Sequence, residues 1–107
     1  MQEKDSNYHS AGYYAAAAAI NARMRNAMFA SNFTDKQKLQ AEKIKLGLEL
    51  VYGEGSKFYV NFRKKFIAIK VVGNVRDRKN LKLFEQDWTA IGVTKEHTEQ
   101  GTIYHVA

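Results

Sequence analysis

In the stretch KFYVNFRKKFIAIKVV, Lys57 to Val72, three cations stand together: Arg63, Lys64 and Lys65. Tyr59, Phe66 and Lys70 flank them within a few positions. Guanidinium and ammonium groups attract phosphate or carboxylate oxygens, and aromatic rings set between them offer faces on which a nucleobase stacks. Beyond Lys70, the residues Arg76, Arg78 and Lys79 continue the same sign of charge. Residues 57–82 hold nine Lys or Arg against one acid, Asp77, whereas the other 81 residues hold eight Lys or Arg against ten Asp or Glu. One quarter of the chain thus supplies the whole net charge of +6, and a positive field so concentrated steers an anionic partner. The expectation is that Tyr59, Arg63, Lys64, Lys65, Phe66, Lys70, Arg76, Arg78 and Lys79 converge on a shared anion-binding patch. The competing expectation is a hairpin tip charged only to keep it in water, with a helix over the strand face beside it.

Other chemistries have little to stand on. The chain has no cysteine, which excludes disulfides, thiolate zinc sites and cysteine nucleophiles. His9, His97 and His105 share no metal-binding spacing. Gly53-x-Gly55 precedes a strand pattern and lacks the Lys-Ser/Thr of a phosphate loop. No serine occupies a nucleophile-elbow context, and Glu85 and Asp87, two apart on a helix, diverge. We expect a protein that is not an enzyme and needs neither cofactor nor metal.

The elements that must position the cations follow from periodicity. Residues 1–9 read as a flexible tail, and 10–107 as a single α+β domain. Tyr13, Ala17, Ile20, Met24 and Ala27/Met28 recur at helical steps and predict a first helix over 10–30, rich in alanine. Thr34 and Gln37 are spaced as a capping box and predict a second helix from there to about Tyr52, with Ala41, Ile44, Leu48 and Val51 as its main stripe. Leu39, Leu46 and Leu50 add a second apolar side. The break at 31–33 is short enough to make the two helices an antiparallel hairpin, with Gly53 ending it as a C′ residue.

Taking Lys64-Lys65 as a two-residue turn pairs Phe62 with Ile67, Val60 with Ile69 and Phe58 with Val71 on one apolar face. The opposite face pairs Tyr59 with Lys70, Asn61 with Ala68 and Arg63 with Phe66. Lys-Lys is a poor type I′ pair, so the turn type is left open. Leu81, Phe84, Trp88 and Ile91 predict a third helix over 78–91, capped by Gly92, with Arg78 and Lys79 in its first turn or, if Asn80 is the N-cap, in the loop before it. Residues 94–101 read as a polar loop and 102–106 as a last strand. The expected fold is α+β in the order ααββαβ, a helical hairpin packed on a small, mainly antiparallel sheet of three strands.

The first reading of function is a small basic non-enzymatic protein that engages nucleic acid or another polyanion through residues 57–82. The alternative is a protein-binding inhibitor or adaptor, acting through the helical hairpin and the basic patch against an acidic protein surface. In size, charge and lack of Pro and Cys the chain resembles phage or mobile-element accessory proteins, a likeness of style that rests on no motif. Weaker alternatives are a binder of a small anionic ligand such as a nucleotide at an oligomer interface, and a ribonuclease-like enzyme without a recognisable motif. The apolar excess on the helices predicts a homodimer or higher homo-oligomer. The N-terminal residues lack the pattern of a secretion signal, and no run approaches the ~18–20 apolar residues that span a bilayer. The expected location is the cytoplasm, with no membrane partner.

Overall fold

Thr34 starts the best-defined helix by the reciprocal hydrogen bonds its spacing predicts. The Gln37 backbone N–H donates to Thr34 Oγ1 at 3.1 Å, and the Thr34 N–H donates to Gln37 Oε1 at 2.7 Å. The computed structural model describes residues 23–107. The expected tail and residues 10–22 of the first helix, Tyr13 to Ile20 included, lie outside the described residues. We number the elements α1 (residues 23–30 of the first helix), α2 (Asp35–Val51), β1 (Lys57–Phe62), β2 (Ile67–Val72), α3 (Arg78–Ala90), β3 (Thr94–Thr98) and β4 (Gly101–Val106).

The sheet is entirely antiparallel, with strand order β1-β2-β4-β3. It has four strands where three were expected, because residues 94–98 pair with β4 and are not a loop. Their sequence, TKEHT, concealed this. β3 is an edge strand wetted on both faces, so no apolar alternation marks it. The observed order is ααββαββ. Gly101 admits the closing pairing: its φ is +146°, and a Cβ there would lie 2.4 Å from the Val71 carbonyl oxygen.

The β1–β2 register matches the predicted pairs in full, from Phe58 opposite Val71 to Phe62 opposite Ile67. Among the described residues no non-glycine has positive φ, so the Lys64-Lys65 turn is not of type I′. The Arg63 N–H closes the hairpin on Phe66 O, and Asn32 Nδ2 braces the turn from outside by donating to Lys64 O at 3.1 Å.

One face of the sheet carries the core. Ala41, Ile44, Leu48 and Val51 of α2 and Leu81 and Trp88 of α3 bury against Ile67, Ile69, Val71, Tyr104 and Val106. Gly47 lets the two helices meet, its Cα facing the Trp88 ring and the edge of Phe84. Trp88 in turn stands edge-on to Tyr104, with ring centroids 5.5 Å apart.

Three local expectations are corrected. Met24, Ala27 and Met28 are exposed, and α1 touches the rest of the chain through Asn26, whose Oδ1 accepts from the Phe62 N–H at the outer edge of β1. A polar edge contact decides that orientation, and apolar periodicity does not register it. Gly53 is not a left-handed C′ residue. Tyr52 ends α2 in extended conformation and bridges to Val75, while Gly53 lies close against Asn74. Ile91 is exposed, because α3 ends at Ala90 and turns away at Gly92, whose φ is +93°.

Candidate nucleic-acid interface

α2 and α3 both lie on the face of Phe58, Ile69 and Tyr104, so strand alternation sends Lys57, Tyr59, Asn61, Ala68, Lys70, Val72, Ile103 and His105 to the other face. Among the described residues no helix packs on that face. Tyr59 is 45% exposed there, and Phe66 and Lys70 are half-buried. Among the described residues, the side chains beside the basic tip lie on the sheet face that α2 and α3 leave uncovered.

The pairings order this face into rows. Tyr59 stands beside Lys70, then Ile103 and Glu96 across the sheet; one step toward the tip come Asn61, Ala68, His105 and Thr94. The Lys70 ammonium lies 6.0 Å from the Tyr59 ring centroid and donates to Gln100 Oε1 at 3.1 Å, which holds the cation beside the ring. Nearer the tip, Phe66 and His105 meet edge to face with centroids 4.6 Å apart. Between these two aromatic groups lies Ala68, which is buried at 4% exposed. His105 Nε2 is 3.9 Å from Glu96, the acid of these rows, which sits on the far strand β3.

The nine expected site residues divide. Arg63, Lys64 and Lys65 occupy the tip, exposed, with Phe66, Tyr59 and Lys70 following along the open face. Arg76, Arg78 and Lys79 lie past the opposite end of β2, about 20 Å from the tip for a six-residue strand. No single patch gathers them, because β2 runs its full length between the two clusters. Arg76 has a structural partner: its Nη2 donates to Leu50 O at the end of α2, and its backbone N–H donates to Val51 O at 2.8 Å.

Arg78 and Lys79 do begin α3, but the N-cap is Asp77 and not Asn80. Asp77 accepts from the Asn80 backbone N–H at 3.1 Å and from Asn80 Nδ2 at 2.7 Å. These bonds hold the Asp77 carboxyl below its usual range, and they fill the helix N-terminus with the chain's own anion. Among the described residues none of the nine cations of 57–82 forms an ion pair with a carboxylate.

Two contributors escaped sequence reasoning as site residues. Lys57 shares the parity of Tyr59 and ends the open face opposite the tip, a position legible from the hairpin register alone. His105 enters through the β2–β4 pairing, which joins strands distant in sequence and leaves no local signal. On the core side, Glu85 Oε2 accepts from Tyr104 Oη at 2.6 Å and pairs with Lys95 Nζ at 2.8 Å beside a cavity of about 100 Å³, tying α3 to the β3–β4 hairpin. Burial and the Glu85 carboxylate push the Tyr104 phenol well above its usual range. Among the described residues no group of three or more His, Asp or Glu is arranged to hold a metal, and no helix is long and apolar enough to cross a membrane. No family model, curated protein or solved structure matches the chain.

Proposed function

We propose that this is a non-enzymatic protein that binds nucleic acid or a like polyanion on the open face of its sheet, with the Arg63–Lys65 tip as its strongest electrostatic contact. The observation that carries this reading is that face itself: Tyr59 and Lys70 stand exposed or half-exposed beside cations that have no carboxylate partner among the described residues, on the side that α2 and α3 leave bare. Phosphates meet Arg63, Lys64 and Lys65 at one end and Lys57 at the other, with Lys70 between. Arg76, Arg78 and Lys79 sit apart and add a general field.

Salt is the test. Each phosphate neutralised releases counterions, so log K falls with log salt at roughly 0.7–0.9 per contact. Replacing both Lys64 and Lys65 with Ala lowers the magnitude of that slope by roughly 1 to 2 and weakens binding across all sequences. An affinity that stays flat between low and physiological salt contradicts the reading.

Leu39, Leu46 and Leu50, at 56, 52 and 64% exposed, favour a second reading: an inhibitor or adaptor whose helical layer meets a protein or a second copy of the chain, the first helix folding back on α2 as a hairpin. Binding of that kind, with the basic patch against an acidic protein surface, gives one stoichiometric protein partner in a pull-down and no gel shift of DNA or RNA.

A further inference from the structure

The open face distinguishes between forms of nucleic acid. Resting on the polyanion reading above, we propose that its ligand is single-stranded, with one base on Tyr59, a second against the Phe66–His105 pair, and the backbone following Lys57, Lys70 and the tip.

Three features converge on a single strand. First, aromatic groups project on this face, Tyr59 from the edge strand β1 and His105 from β4. Duplex bases are stacked on each other and present only groove edges and phosphates, whereas an unpaired base offers its π-face to a ring. Second, the face is broad. Four strands make three spacings, about 14 Å before side chains are added, wider than the ~12 Å major groove that admits a helix or a two-stranded ribbon.

Third, the two ring sites are set apart. Tyr59 pairs with Lys70 and His105 with Ala68, two residues along β2 and two strand spacings across. The separation is about 12 Å, against about 3.4 Å between stacked neighbours in a duplex strand. Only a strand whose bases are splayed reaches both. The carboxylate of Glu96 lies beyond His105 on β3 and confines the backbone to the β1–β2–β4 side.

The test uses the full chain and fluorescence anisotropy with four probes: labelled oligo-dT and oligo-rU of about 12 nucleotides, a duplex of the same length, and heparin as a polyanion without bases. The expected result is tighter binding of at least one single strand than of duplex or heparin. Tyr59→Ala weakens single-strand binding roughly 5- to 150-fold and leaves duplex and heparin unchanged; Tyr59→Phe retains binding, which separates loss of the ring from loss of the fold. His105→Ala acts in the same direction. The dT and rU arms distinguish DNA from RNA, and a preference for either supports the proposal. Equal affinity for single strand, duplex and heparin, with Tyr59→Ala silent, overturns base stacking while the polyanion reading stands. Absence of binding to all four overturns both.

Discussion

Gly47→Ala tests the packing that leaves the sheet face open. The two helices share one layer because α2 presents no side chain where Trp88 crosses it. A Cβ at position 47 would lie 2.9 Å from Trp88 Cζ2 and 3.6 Å from Phe84 Cδ2. Trp88 has little room to yield. It is buried, stacked on Phe84 at 5.8 Å and held edge-on by Tyr104. Two effects oppose each other. Alanine in a helix interior is favoured over glycine by about 1 kcal/mol. Forcing an extra methyl into a packed contact costs about 1–3 kcal/mol.

The contact below 3 Å to a ring that is itself wedged places this site in the middle or upper part of that cost, so Gly47→Ala destabilises by about 1 kcal/mol net. For a domain of this size the melting temperature falls by roughly 4–8 °C. Thermal unfolding followed by circular dichroism measures it. In a Trp88→Phe background the smaller ring relieves the contact, and Gly47→Ala then stabilises by about 1 kcal/mol from propensity alone. A melting temperature that rises on Gly47→Ala in the wild-type background would refute the close approach of α2 and α3 at this point.

Two further predictions separate structural from binding roles. Arg76→Ala removes the bond to Leu50 O and costs about 1 kcal/mol in denaturant unfolding, while polyanion affinity changes far less than for Arg63→Ala; equal losses of affinity would place Arg76 in the binding surface. Tyr104 keeps its proton in the fold well above pH 10, where an unfolded tyrosine ionises. The folded state therefore binds the extra proton at alkaline pH, and stability falls as pH rises past about 10, with no pH dependence from this group below that. Urea midpoints across this range show the decline in wild type and a shallower one in Tyr104→Phe; identical slopes would remove Tyr104 from the account.

Local chemistry made much of the fold legible. The capping box at Thr34 and Gln37 satisfies donors three residues apart, so it needs nothing from the rest of the chain. The β1–β2 register follows from alternation on both sides of one turn, and it alone predicted Tyr59 beside Lys70. The buried stripe of α2 and the core position of Trp88 follow in the same way from helical period. β3 left no such trace, since an edge strand exposed on both faces has no reason to alternate.

The concentration of charge in residues 57–82, and the pairing of ring with cation in the hairpin, were properties of the linear chain, because each depends on neighbours in sequence. What became of that charge was a tertiary matter. The length of β2 divided it, the α2 carbonyl at Leu50 claimed Arg76, and Asp77 took the N-terminus of α3. Pairing of β2 with β4 brought His105 to Phe66 across 39 residues of sequence, and packing of α2 and α3 on one side left the opposite face without a helix among the described residues. Contacts between strands and layers distant in sequence are selected by the burial of the whole core, and no single segment carries that information.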